Sequence, residues 1–85
     1  MVGEQLASAR EAKKWGLEDI ARLTKLRSDQ VLALEEGRYH VFSAPVYVRG
    51  FVKSYAKLVN IDPAPLLEKL NGELNKDKKF QQAEP

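Results

Sequence analysis

Four breaks divide this chain. Gly16, Gly37, Pro45 and the Asp62-Pro63 pair cut a run of helically spaced apolar residues into short segments, each too short to be a stable helix by itself. Such segments are stable only when each buries its apolar side against the others. Leu6, Ala9 and Ala12 recur at three-residue spacing and predict a first helix over residues 4–14, broken by Gly16. Leu17, Ile20, Ala21 and Leu23 predict a second, opened by Glu18 and Asp19, whose charge suits a helix N-terminus. Thr24-Lys25-Leu26 reads as a turn, Ser28 as the N-cap of a third helix carrying Val31, Leu32 and Leu34, and Gly37 as its left-handed stop.

Residues 38–44 hold β-branched and aromatic side chains without a repeat and are expected as a loop. Pro45 suits the first turn of a fourth helix, whose pattern runs through residues 46–59 and stops at Asn60 or Ile61. Gly50 weakens that helix by about 1 kcal/mol relative to alanine. Asp62 caps a fifth helix with Pro63 at its first position and Leu66, Leu67, Leu70 and Leu74 along one side. The expected fold is therefore all-α, a five-helix orthogonal bundle, with residues 1–75 as one domain. Residues 76–85, which lack any apolar period, are expected as a polar, disordered tail or linker. The second and third helices, short and joined by a tight turn, have the layout of a helix-turn-helix.

Several functions are excluded by what is missing. The chain has no cysteine, which removes disulfides, thiolate metal sites and a cysteine nucleophile, and its one histidine, His40, makes no multi-histidine metal centre. Adjacent acids such as Glu35 and Glu36 diverge by about 100° on a helix, so they form no carboxylate dyad. No glycine-rich phosphate loop or nucleophile motif occurs. We expect no enzymatic activity, no cofactor and no metal. Apolar runs are too short for a membrane span or a signal peptide, so the chain reads as soluble and cytosolic.

Charge then weighs on nucleic-acid binding. Fourteen basic residues against twelve acidic leave a net charge of only +2, and residues 1–43 carry seven of each sign. Non-specific DNA affinity comes from neutralising phosphates, and a neutral half supplies little of it. On the third helix Ser28, Asp29, Leu32, Ala33 and Glu36 are the expected outward residues. Gln30 is the one strong base-reading type there, and Asp29 and Glu36 would oppose phosphate. The excess charge lies in the fourth helix, where Arg49, Lys53 and Lys57 repeat every fourth residue beside a parallel stripe of Tyr47, Phe51 and Tyr55. Val48, Val52 and Val59 continue the apolar arc, which from Tyr47 to Val52 spans about 140°, wider than the roughly 100° stripe of an ordinary surface helix. One part of such an arc can face the core and another a partner, and aromatics edged by cations are enriched at protein interfaces. The plainer alternative is that all three aromatics pack into the core and the cations form a solvated face.

The stretch GEQLASAREAKKWGLEDIARLTKLRSDQVLALEEGRY resembles the helix-turn-helix of Cro- and repressor-like regulators, with Ala21 at the tight contact of the helix pair and Leu26, Val31 and Leu34 inward. The following APVYVRGFVKSYAKLVNIDPAPLLEKL is similar to the cytoplasmic domain of the RodZ family of bacterial cell-shape proteins, and together the two stretches cover about residues 3–70. The resemblance implies a five-helix cytoplasmic domain that binds the actin-like MreB filament at the inner face of the cell membrane. It also implies that this chain is an N-terminal fragment, anchored in the full protein by a transmembrane helix that lies outside it. Lys76, Lys78 and Lys79 would begin the basic segment that precedes such a helix. Under this reading Tyr47 and Phe51 are the aromatic partner contacts, with Tyr55 a further one deeper in the arc. Arg49 and Lys53 supply charge complementarity, which governs orientation and on-rate more than affinity.

The alternative is a sequence-specific DNA-binding regulator using the helix-turn-helix, with Arg27, Ser28, Gln30, Arg22 and Lys25 toward the nucleic acid. Trp15 is expected to pack as core and His40 to have no functional role. In helix-turn-helix domains of this type a pair such as Arg10 and Glu35 often ties the first helix to the third.

Overall fold

The computed structural model describes residues 1–76, whose regular secondary structure is helical throughout, with no strand among them. The helices are α1 (Val2–Ala12), α2 (Leu17–Thr24), α3 (Ser28–Glu36), α4 (Pro45–Leu58) and α5 (Pro63–Asn75), with a single 3-10 turn at Tyr39–Val41. α1 packs on α3 and α5, α2 on α3 and α4, and α4 on α5. The five-helix arrangement with an embedded helix-turn-helix matches the sequence expectation. The expectation for residues 76–85 lies, beyond the exposed Lys76, outside the described residues.

Helix ends explain where the sequence boundaries shift. α1 stops at Ala12 because Lys14 takes a left-handed conformation (φ 60°) and the Trp15 N–H returns to the Arg10 carbonyl. Gly16 is thereby freed to be the N-cap of α2, its N–H donating to the Asp19 carboxylate at 2.8 Å. Arg27, not Ser28, is the N-cap of α3, and its N–H is held by the Gln30 side-chain oxygen at 3.0 Å. Ser28 is the first helical residue. Gly37 makes the predicted left-handed stop at φ 77°, with the Arg38 N–H reaching the Ala33 carbonyl. Asp62 accepts from the Ala64 N–H, and Pro45 and Pro63 begin their helices as their missing N–H permits.

Val2 and Leu6 of α1, Ile20 of α2, Val31 and Leu34 of α3, Val48 and Val52 of α4 and Leu66 and Leu70 of α5 meet in one core. Trp15 packs on its edge, half-buried, beneath the Lys13 ammonium. Two expectations change. Ala33, expected outward, is buried, so α3 offers less outward surface than its sequence suggested. The segment 38–44 is not a surface loop throughout: Tyr39 and Phe42 are buried, Tyr39 donating its hydroxyl to the Glu73 carboxylate and Phe42 lying 5.5 Å from the Phe51 ring. Aperiodic apolar residues there anchor the turn to α5 and α4, a long-range role that no local pattern reports.

The Arg10–Glu35 tie is present. Arg10 Nε donates to Glu35 Oε2 at 2.8 Å and Nη2 to Oε1 at 3.2 Å, while Nη1 donates to the Trp15 carbonyl at 2.8 Å. The hydrogen bonds that Arg10 donates to Glu35, ahead of the carboxylate's charge, strengthen the hold of Arg10 on its proton. The Tyr55 hydroxyl also donates to Glu35, so one buried carboxylate joins α1, α3 and α4.

Candidate protein-docking surface

α4 rises from Pro45 with its axis fixed by Val48, Val52 and Tyr55, all fully buried. At about 100° per residue, Tyr47 lies some 100° from Val48 and falls outside the buried sector. It is 55% exposed, next to Val46 at 60%, and Val41 of the 3-10 turn is 44% exposed. Among the described residues, three of the five exposed large apolar side chains thus gather within seven positions, where an exposed apolar cluster marks an interaction site more often than a lone side chain does. Phe51, one turn beyond Tyr47, is half-buried against Phe42. Between α4, the 3-10 turn and α3 lies an open cleft of about 450 Å³, lined by Gln30, His40, Val41, Phe42, Ser43, Tyr47 and Phe51.

Of the sequence candidates, the structure brings Tyr47 and Phe51 to this one cleft. Arg49 and Lys53 lie on the flank of α4, Lys53 exposed and Arg49 half-buried, leaning toward α5 through a 3.5 Å hydrogen bond to Asn71. With Lys57 they give α4 three cations and no acid.

Tyr55 is a correction. It is fully buried and its hydroxyl is spent on Glu35, so it makes no surface contact in this fold. Four residues advance a helix by about 400°, so each step along the aromatic stripe turns it by about 40° toward the core. Two steps from Tyr47 carry Tyr55 inside. Burial, then the hydrogen bond and charge of Glu35, push its phenol well above the usual range. A phenol whose folded pKa exceeds its unfolded value gives stability that is complete below about pH 10 and is lost as pH rises beyond it. Thermal melts are therefore expected to show stability falling above about pH 10, with a shallower decline for Tyr55→Phe. An identical decline in that variant would assign the effect to another group.

Sequence reasoning missed Val41, Val46 and His40 as parts of this surface. Their signal was faint: exposed β-branched residues on either side of Pro45, with no periodicity to group them.

The alternative DNA-facing set is arranged differently. Arg22 pairs with Asp19 at 3.3 Å and Arg27 with Asp29 at 3.1 Å, and the Arg27 guanidinium, chiefly by its hydrogen bond, holds the Asp29 carboxyl below its ordinary value. Gln30, the base-reading candidate, spends its oxygen capping α3 and lines the cleft. Lys25 is exposed in the turn in a left-handed conformation (φ 64°), and Ser28 is half-buried. The five are not assembled into a cationic, base-reading face.

Comparison with known proteins places this geometry. Residues 5–66 match a family described as a helix-turn-helix domain. The chain is 40% identical over 52 residues to an uncharacterized membrane protein, YmfM, of Bacillus subtilis, a match covering 61% of this chain and 18% of that protein. It is 30% identical over 67 residues to the cytoskeleton protein RodZ of Streptococcus pneumoniae, covering 79% of this chain and 24% of RodZ. It is 37% identical over 60 residues to an uncharacterized protein of Haemophilus influenzae, covering 69% of this chain and 20% of that one. The chain thus spans about a fifth of the length of the curated relatives it matches. No solved structure matches it. No helix among the described residues is long and apolar enough to cross a membrane.

Proposed function

The chain belongs to the helix-turn-helix domain family and is of the RodZ type, and on that premise we propose that it is a non-enzymatic docking module whose α4 edge binds an actin-like MreB filament. In the full protein this would link the filament to the membrane through regions outside the chain, and so serve cell shape, with this domain on the cytoplasmic side. The observation that carries the reading is the exposed Tyr47 at a cleft also lined by Phe42 and Phe51, on a helix whose charged residues are all cations. An aromatic anchor in a desolvated pocket is the kind of residue on which interface energy concentrates, and neighbouring cations select an acidic partner surface.

Co-sedimentation with polymerised MreB-type filament tests this. Tyr47 is exposed, so Tyr47→Ala is expected to change stability by less than about 0.5 kcal/mol while costing about 2 kcal/mol of binding. Phe51→Ala should lose binding as well, with some loss of stability because its ring packs on Phe42. Wild type that stays in solution while filaments form normally would end the docking reading for this domain, and a low-salt DNA-binding screen would then be the next test.

A further inference from the structure

Gly50 occupies the centre of the outward face of α4. The buried residues Val48, Val52, Tyr55 and Val59 point on average about 180° away from it around the helix. Nothing in the fold asks for glycine there: its φ is not positive, and a Cβ would meet nothing within 4 Å. Gly3 and Gly37 contrast with it, the first pressed against α3 and the second left-handed at φ 77°. Glycine in a helix interior is costly relative to alanine, and no contact or left-handed conformation among the described residues offsets that cost at Gly50. Gly72 of α5 is equally open, yet its helical neighbours Glu68, Lys69 and Lys76 are polar. Gly50 instead lies between Val46 and Tyr47 on one side and Lys53, Ser54 and Lys57 on the other, the apolar and cationic halves of the docking face.

Building on the docking reading above, we infer that Gly50 is a specificity-determining position at which the partner's backbone crosses close over α4. The missing Cβ lets an acidic segment of the filament protein lie against the helix, with an apolar side chain entering the cleft at Tyr47 and Phe51 and its acids meeting Lys53 and Lys57. Glycine serves close backbone approach of this kind because it presents no side chain. The partner is acidic because the 14 residues of α4 carry three cations and no anion.

The test reads two quantities with opposite signs on the 85-residue chain. Gly50→Ala is expected to raise Tm by about 4–8 °C, through helix propensity alone, and to weaken binding to polymerised MreB-type filament at least tenfold. Gly72→Ala should raise Tm similarly and leave binding unchanged. A lower Tm for Gly50→Ala would show that the fold needs this glycine, and would overturn the inference. So would wild-type affinity in Gly50→Ala, or equal loss in Gly72→Ala. Tyr47→Ala in the same assay separates the two claims. If it loses binding while Gly50→Ala does not, docking stands and the glycine contact falls; if both bind as wild type, or wild type does not bind, both fall together.

Discussion

Alanine at position 3 is expected to cost about 3 kcal/mol, lowering Tm by about 12–24 °C in a domain of this size. Gly3 lies in the first turn of α1 where it crosses the end of α3. An added Cβ would sit 2.5 Å from the Leu34 carbonyl oxygen and closer still to that of Glu35. Both obstacles are backbone, held in the last turn of α3, so no rotamer change relieves the clash. α1 must move away, and Gly3 shares its face with Arg10, seven residues or about two turns on. Backing α1 off therefore also lengthens the hydrogen bonds from Arg10 to Glu35. A chain of this length has a total stability of about 4–12 kcal/mol, so the loss is a large fraction of the whole. Thermal denaturation followed by circular dichroism measures it, with exposed Ser8→Ala on the same helix as the control. A Gly3→Ala melt that superimposes on wild type would show that α1 and α3 are not held at this distance in solution.

Gly3 also shows what a single sequence conceals. Helix count, the tight turn, the Gly37 stop and the Asp62-Pro63 start are local, because each follows from the spacing of apolar residues or from a backbone preference of one residue. The Arg10–Glu35 tie came from resemblance to a family layout. Gly3 fell just outside the first helix read over residues 4–14, and its role depends on how near α3 comes, a quantity absent from α1's own pattern. Tyr39 and Phe42 were hidden for the same reason: their partners, Glu73 and Phe51, lie far along the chain or on another element. The candidate docking surface was half legible. Stripe geometry placed Tyr47 and Phe51 on one side of α4, but the same arithmetic, with its drift of about 40° per step, already turned Tyr55 toward the core. What it lacked was the position of the core itself, fixed only once Glu35 of α3 accepts the Tyr55 hydroxyl.

That shared carboxylate sets the second large effect. Glu35→Ala is expected to destabilise the domain by about 3–5 kcal/mol, because it leaves the Arg10 guanidinium and the Tyr55 hydroxyl in a largely dry site without their acceptor. Tyr55→Phe removes one donor and leaves Glu35 still paired with Arg10, so its cost should be nearer 1 kcal/mol. The double variant Arg10→Met/Glu35→Leu removes both charges together, and apolar replacement of a whole buried pair is often neutral or better. Denaturant unfolding of the three variants should therefore rank Glu35→Ala as the least stable, with the double variant recovering the part due to the uncompensated Arg10 charge and keeping the cost of the Tyr55 hydroxyl left without an acceptor. A double variant as unstable as Glu35→Ala would mean that the network acts through packing and not through charge compensation. The proposed filament binding adds a separate reading of the same variants. Tyr55 lies about two turns from Tyr47 on one rigid helix, so the network also sets how far α4 is rotated and which of its aromatics face outward. A double variant that remains folded yet pellets poorly with filament would assign the carboxylate the orientation of α4 in addition to its stability.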